Sequence, residues 1–397
     1  MAQTVINPRI RGFICTTAHP GGCASNVQRQ IAVARKAGPG KGLGNVLVVG
    51  ASAGYGLAST ITALFGHGAK VLSVAFERGG SGEKTGSAGW YNLAEVHRVA
   101  KAEGRTIETI IGDAFSTAIL EQAVAALKER FGQIDTLVYS LASPKRTDPV
   151  TGITHSSVLK PIGPQYTAKT VDLDTAEIKP ISIVPANQDE IANTIKVMGG
   201  EDWQRWVSAL SAAGLLAKGF RTVAYSYIGP QITYPVYRQG TIGAAKDHLE
   251  ATALKLNSEL AASVGGGAWV SVNKALVTQA SSAIPVVPLY TAILYRVMKT
   301  QGSHEGTIEQ IVRLFADHLA PGKTPKVDGN GRIRVDDREM APAVQAAVDA
   351  VWQTVTTENL SQVSDYAGFR QEFRSLFGFE VDGVDYTAPV EVEVPLV

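Results

Sequence analysis

Gly50-Ala51-Ser52-Ala53-Gly54-Tyr55-Gly56 sets glycines in a G-x-x-x-G-x-G spacing. The apolar run Asn45–Gly50 precedes it and the helical pattern Leu57–Phe65 follows. Glycines there let the backbone turn tightly against a pyrophosphate. The helix that follows points free N–H groups and its positive dipole end at that phosphate. A glycine pattern alone marks only a tight turn; a strand before it and a helix after it make it a dinucleotide site. Phe76-Glu77 closes the next apolar run, about 20 residues on, where an acidic side chain accepts from the ribose hydroxyls. A carboxylate there repels a 2′-phosphate, so Glu77 favours NADH over NADPH, although Arg78 beside it is able to pair with a phosphate. Asp113-Ala114 ends the third run, where Asp113 either contacts adenine or caps the next helix. Leu141-Ala142 ends the fourth, where small backbone groups flank a nicotinamide ribose.

Hydride transfer also needs a proton donor. The seven histidines are scattered and no zinc-ligand spacing is present, so no metal site is expected. In the short-chain dehydrogenase superfamily a Tyr–Lys pair supplies the acid. A phenol of pKa about 10 is brought toward working range by a nearby ammonium. Tyr295-Arg-Val-Met-Lys299 has the usual spacing, but it follows the last core strand, whereas the superfamily's pair precedes that strand. It reads as one helix face. The segment before that strand holds Tyr237 and Lys246, in Tyr-Pro-Val-Tyr-Arg-Gln-Gly-Thr-Ile-Gly-Ala-Ala-Lys. On one straight helix this spacing is about two and a half turns, which puts the two on opposite faces. The pair converges only if the helix bends or begins between them, and Gly240 and Gly243 mark where it can begin.

The elements that must position these groups alternate. Apolar runs at Lys70–Glu77, Thr106–Ile111, Ile134–Ala142, Phe220–Ile228 and Trp269–Val277 read as strands. Helical patterns fall at Asn92–Glu103, Ser116–Phe131 and Thr241–Ser263. Continuous apolar strands between helices mean a parallel sheet covered on both faces. The fold class is therefore α/β, a doubly wound, Rossmann-like sheet, with helical and loop insertions forming a substrate-binding lid. One reductase-sized domain, 1–397, is expected. It carries an N-terminal extension at 1–44, with a strand at Arg9–Thr17 and a basic helix at Ala24–Ala37. An insertion at about 143–217 reads as loops with a short hairpin, then helices at Asp189–Gly199 and Asp202–Ala217. A helical portion follows from about 283, with patterns at Leu289–Lys299, Thr307–His318 and Pro342–Thr357.

Composition narrows the class. The chain has 397 residues, 45% hydrophobic and 18% charged, which suits a large core and excludes disorder. A net charge of +1 offers no basic field for nucleic acid. Cys15 and Cys23 make neither a disulfide framework nor a zinc site, so a reducing, cytoplasmic setting is expected. No apolar signal core opens the chain. The apolar stretch Ala283–Met298 is broken by polar residues and two prolines and falls short of a ~20-residue membrane span.

Over nearly its whole length the chain resembles the monomeric, NADH-dependent trans-2-enoyl-ACP/trans-2-enoyl-CoA reductases. The segments that carry the resemblance are GASAGYG, FERGGSGEKTGSAGWYN, IGDAF, YSLASP, AYSYIGP, YPVYRQGTIGAAKDHLE and VTQASSAIPVVPLY. Tyr-x8-Lys is that family's hallmark. The resemblance implies NADH/NAD as cofactor, an enoyl-ACP or enoyl-CoA substrate, transient docking of an acyl carrier protein, and a monomer. It implies that Tyr237 protonates or polarises the thioester enolate, while Lys246 holds the nicotinamide ribose and tunes Tyr237. Tyr227 would sit over the substrate, with its hydroxyl toward the thioester carbonyl. Ala275, Leu276 and Val277 would offer backbone groups to the carboxamide, Thr278 would border the acyl pocket, and Ile284–Met298 would cover the acyl tail. Two rivals remain. One is a short-chain dehydrogenase reducing a carbonyl such as a 3-oxoacyl thioester; Ser226 lies near the expected serine, but Tyr227 and the wide Tyr–Lys spacing argue against it. The other is a non-catalytic NAD-binding regulator, which needs neither Tyr237 nor Lys246.

Overall fold

The computed structural model describes residues 3–396 apart from 39, 41 and 142. Seven strands form the central sheet: β1 (Asn45–Val49), β2 (Lys70–Ala75), β3 (Ile107–Ile111), β4 (Ile134–Tyr139), β5 (Leu216–Ser226), β6 (Gly267–Val272) and β7 (Ile333–Arg334). Their order is 7-6-5-4-1-2-3, and every neighbouring pair is parallel. β1 reads Asn-Val-Leu-Val-Val with its last four residues buried, because both faces are covered.

Side chains alternate along β1 and β2 and feed two cores. Val46, Val48 and Val71 face helices α1 (Pro20–Lys36), α2 (Gly54–Ile61) and α3 (Ala88–Ala102), through Ile31, Leu57, Ile61 and Val96. Leu47, Val49, Leu72 and Val74 face the other side. There α4 (Thr117–Ala126), α6 (Glu201–Ala212) and α7 (Thr241–Val264) contribute Leu120, Trp203, Trp206, Leu249 and Leu256. Between α4 and α6 lies α5 (Gln188–Met198), entered through an Asn187–Glu190 capping box. The strand order reverses between β1 and β4, and the crevice outside their carboxyl ends is where a doubly wound sheet takes ligands.

Several expected boundaries move. The insertion holds two antiparallel hairpins, Lys145–Thr147 with Thr154–Ser156 and Tyr166–Val171 with Ile178–Ile183, where one was expected. β5 already begins at Leu216, with an irregular register before Arg221, so the helix expected to reach Ala217 stops at Ala212. The expected strand Trp269–Val277 is extended only to Val272. Asn273 still donates to the Ser226 carbonyl of β5, but the chain beyond it is a loop, because the N–H groups of Lys274, Ala275, Val277 and Thr278 bond to side chains rather than to a neighbouring strand. In the N-terminal part, Ile10–Arg11 pairs with Ile14–Cys15, and α1 begins at Pro20 with His19 as its cap.

The longer helices of the carboxyl-terminal part are α8 (Val287–Thr300), α9 (Thr307–Leu314), α10 (Pro342–Thr354) and α11 (Tyr366–Ser375), with a short helix at Leu360–Val363. α9 joins the first core through Ile308 and Ile311. α8 is buried from Val287 through Tyr295, and its last turn reaches solvent at Arg296 and Lys299. Leu289, Tyr290 and Ile293 pack with Val344 and Val348 of α10, and Ala292 and Tyr295 pack with Phe369 and Phe373 of α11. The tail returns to the sheet's far end. Val390–Glu391 pairs with Gln3–Thr4, and the tail carbonyls of Val392 and Val394 accept from Tyr91 Oη at 2.8 Å and Trp90 Nε1 at 2.7 Å. Among the described residues no helix is long and apolar enough to cross a membrane, and no group of three His, Cys, Asp or Glu is arranged to hold a metal ion.

Candidate active site

The glycine turn is closed by backbone contact. Gly50 has φ 86° and Gly54 φ 51°, the left-handed region that glycine alone enters freely. A Cβ at Gly50 would lie 2.1 Å from the Ser140 carbonyl oxygen, and one at Gly56 only 1.8 Å from the Gly50 carbonyl oxygen. Ala51 is buried behind the turn, and Ala53 is the helix cap, so α2 starts inside the motif at Gly54. Ser52 donates to Glu77 Oε1 at 2.5 Å, which brings the carboxylate beside the turn. Phe76 is 79% exposed, a bare aromatic face at the end of β2. Asp113 does not cap α4; Ser116 does, accepting from the Ile119 N–H, while Asp113 accepts from the Phe115 N–H at 3.0 Å. Its carboxylate thus stays half-buried at the end of β3. The buried Ala114 turns its carbonyl to Trp206 Nε1 at 3.2 Å, away from the crevice. Leu141 Cδ2 lies 3.1 Å from where a Gly50 Cβ would be, so Leu141 borders the turn, and Ala142 falls outside the described residues.

Tyr237 and Lys246 do not share a helix. α7 begins at Thr241 with Gly240 as its cap, so the helix starts between them. Tyr237 sits on the preceding turns, where its own carbonyl accepts from the N–H groups of Gly240 and Gly243 at 3.1 and 2.9 Å. A Cβ at Gly243 would sit 1.8 Å from the Arg238 carbonyl oxygen, so only glycine admits this close turn. The Tyr237 ring packs edge-on to Tyr227, centroids 5.0 Å apart, in a small apolar cluster with Ile242, Ile284 and Val287. Lys246 Nζ donates to the Tyr225 carbonyl at 3.2 Å, at the end of strand β5, which Tyr227 directly follows. Burial pushes the Tyr237 phenol up. Burial also pushes the Lys246 ammonium down to about 8, against the opposing pull of Glu250. Nearby, buried Ser226 Oγ and Asn273 Nδ2 have no protein partner.

The loop after β6 is held by side chains. The Ala275 N–H donates to Glu339 Oε2 at 2.7 Å, and its carbonyl accepts from Lys274 Nζ at 2.9 Å. The Val277 N–H donates to Tyr295 Oη at 3.1 Å, and the Leu276 carbonyl accepts from Ser281 Oγ at 2.7 Å. Tyr55, from the glycine turn, reaches across to the Lys274 carbonyl at 2.8 Å. Thr278 caps the short helix Gln279–Ser282 and faces Gly54, its Cγ2 3.9 Å from where a Cβ would stand there. It therefore lies on the glycine-turn side of the crevice. Tyr227 donates to Glu339 Oε1 at 3.2 Å. Tyr295 is more than part of a helix face. Its hydroxyl anchors Val277 and donates to Glu372 Oε2 at 2.9 Å, with Lys274 and Lys299 over its ring. Sequence reading missed Lys274, Glu339 and Glu372. A lysine interrupting Val-Asn-Lys-Ala-Leu-Val was the one local signal; the two glutamates lie far along the chain and carry none.

The unpartnered polar atoms, the closed glycine turn and the exposed Phe76 fit a dinucleotide along this crevice. Comparison with known proteins agrees. Residues 84–320 match the model described as the trans-2-enoyl-CoA reductase catalytic region, and residues 5–82 match the NAD(P)H binding domain of trans-2-enoyl-CoA reductase. Residues 327–390 match a model described as an enoyl reductase FAD binding domain. An enoyl-acyl-carrier-protein reductase (NADH) of Opitutus terrae is 54% identical, covering 99% of this chain and 100% of that one. A trans-2-enoyl-CoA reductase (NADH) of Clostridium perfringens is 51% identical, covering 98% of this chain and 99% of that one. The crystal structure of Treponema denticola trans-2-enoyl-CoA reductase in complex with NAD superposes with a TM-score of 0.95 at 51% identity, covering 99% of this chain and 100% of that one. The segment 327–390 does not fit a flavin. Its extended pieces are two residues long, and among its described residues no glycine turn leads from a strand into a helix to cradle a diphosphate.

Proposed function

The chain belongs to the trans-2-enoyl-CoA reductase family, and from that premise we propose that Tyr237 and Lys246 carry its chemistry. The protein is an NADH-dependent reductase of enoyl thioesters. NADH, when bound, supplies a hydride to the β-carbon of the enoyl group, and negative charge collects on the thioester oxygen. A donor aimed at that oxygen lowers the barrier. Tyr237 is that donor: burial keeps its phenol protonated, and it stands in the apolar cluster where Ile284 and Val287 meet an acyl chain. Lys246 holds the ribose hydroxyls from below β5, and its ammonium stabilises charge on the phenol as the proton leaves. Leu276 N–H and Val277 C=O, flanked by braced groups, take the carboxamide. Phe76 and Glu77 hold the adenosine end, with Gly50–Gly56 on the pyrophosphate and Thr278 closing over it.

The observation that carries this reading is the start of α7 at Thr241, between the two residues. It removes the half-turn mismatch that a continuous helix would impose. We read the chain as one reductase body. The insertion and the segment from 283 cover the acyl site, and a monomer works in the cytoplasm with transient docking of an acyl carrier protein.

Steady-state NADH oxidation with crotonyl-CoA tests the assignment. Tyr237→Phe keeps the ring, so the fold survives on circular dichroism while kcat falls roughly 100-fold or more. Lys246→Met loses rate and NADH affinity together. A folded Tyr237→Phe enzyme at full activity would sink the assignment. Oxidation of NADH with acetoacetyl-CoA but not crotonyl-CoA would favour carbonyl reduction instead.

A further inference from the structure

Glu339 lies on the loop between β7 and α10 and is fully buried. A carboxyl in such a layer is costly unless donors satisfy it. Three do. Oε1 accepts from Tyr227 at 3.2 Å and from Tyr290 of α8 at 2.6 Å, and Oε2 accepts from the Ala275 N–H at 2.7 Å. Gln345 Nε2, on the first turns of α10, holds the Glu339 carbonyl at 2.7 Å and the Tyr290 hydroxyl at 3.2 Å. The two carboxyl oxygens therefore serve two different walls. One is the end of β5, where Tyr227 packs edge-on to Tyr237; the other is the loop after β6. The Ala275 peptide is gripped from both sides, by Glu339 on its N–H and by Lys274 on its carbonyl. Tyr227 has little freedom of its own. Gly229, at φ 72°, lies so close that a Cβ there would stand 2.6 Å from the Tyr227 hydroxyl.

We propose that Glu339 is a positioning residue that registers Tyr227, and through it the Tyr237 wall, against the loop that seats the nicotinamide. It does so from the segment 327–390, whose contribution to the site is this carboxyl rather than a flavin cradle. Purely apolar packing at this position would fill the space but leave the Ala275 N–H and two phenols without an acceptor. A misplacement of about 1 Å between hydride donor and acceptor costs as much as 100-fold in rate, so a bridge between the two walls acts on kcat. This role rests on the assignment of Tyr237 and Lys246 above.

The test is a double-mutant cycle read by NADH oxidation with crotonyl-CoA, with thermal unfolding alongside. Glu339→Gln keeps the size of the side chain but replaces one of its two acceptor oxygens by an NH2 donor, so the phenols on one wall and the Ala275 N–H on the other can no longer both be satisfied. It should lower kcat roughly tenfold, and in a Tyr227→Phe background its further effect should shrink below about twofold, because the shared contact is already gone. The same tenfold loss in both backgrounds, or a single variant keeping more than half its kcat, overturns the proposal. Should Glu339→Gln fail to fold, Tyr290→Phe takes its place in the cycle: non-additivity with Tyr227→Phe supports the bridge and additivity overturns it. Tyr237→Phe is measured in parallel. If it stays active, the catalytic assignment has failed; if it is inactive while Glu339→Gln is silent, only the role of Glu339 has.

Discussion

The crevice is bounded by two loops built on opposite plans. The turn after β1 is held by its own backbone, with Gly50, Gly56 and the Ser140 carbonyl in contact that leaves no room for a Cβ. The loop after β6 is held by side chains from elsewhere: Glu339, Tyr295, Ser281 and Tyr55 each fix a different backbone group of Lys274–Val277. A backbone-packed turn has one solution and fails as a unit. A side-chain-braced loop is fixed in instalments, so each brace can be lost or tuned separately. The first plan suits a pyrophosphate, which every nucleotide cofactor carries. The second suits a group whose exact placement sets a rate, as the nicotinamide would under the proposal above.

Gly56→Ala should have the largest effect. Its methyl group meets the Gly50 carbonyl oxygen, and the turn cannot shift without moving β4. Overpacking there should cost about 2 kcal/mol or more of stability, and NADH affinity should fall at least about 100-fold, seen by thermal unfolding and cofactor titration. Tyr295→Phe should do less. It strands the buried Val277 N–H and removes a donor from Glu372, a penalty of about 1–3 kcal/mol, so NADH affinity should fall roughly tenfold in a protein that still folds. Equal losses in the two variants would break the contrast.

The smallest effect comes from pH. Lys246 under β5 and Lys274 in the braced loop are both pushed down to about 8 by burial. Glu250 opposes the shift for Lys246; Glu339, Glu372 and Glu305 oppose it for Lys274, and Lys299 adds to it. Both ammoniums are lost as pH rises through that value, so NADH affinity should weaken several-fold between about pH 7.5 and 9.5. Stability moves the other way. Unfolded lysines keep their protons to about pH 10.4, so above about 8 the folded chain binds fewer protons and these two groups favour folding as pH rises. Affinity and unfolding temperature falling together over this range would show that neither lysine is held as described.

Legibility in the sequence follows the same division. The glycine turn and the alternating strands are legible because each depends on neighbours within one local pattern. The Tyr237–Lys246 pair was readable only as a condition, that a helix begin between them, and Gly240 and Gly243 supplied the place. The end of β6 is not legible because Ala275, Leu276 and Val277 are as apolar as a strand; what makes them a loop is polar groups 18 and 64 residues away. In the sequence Tyr295 shows only as part of one helix face, because spacing tells where a side chain sits along a helix and not what its hydroxyl meets. The segment beyond Arg334 gave no hint of Glu339, since a buried glutamate and an exposed one are written alike.

The braces also set an order of assembly during synthesis. A ribosome releases Ala275 well before it makes Glu339, 64 residues later, and the tail carbonyl that closes on Tyr91 comes 301 residues after it. A nascent chain stopped short of Glu339 can therefore pair β1 to β6 and close the glycine turn while the loop after β6 still lacks its anchor. Such distant contacts form late and slowly, because the chain entropy must be overcome before the contact stabilises anything. A chain stopped at that length would hold a sheet and a glycine turn but a loop after β6 without its Glu339 brace. A protease that trims the tail of the finished chain would instead strip the loop after β2 and the start of α3 of their contacts with Val392, Glu393 and Val394, while Glu339 still braced the loop after β6.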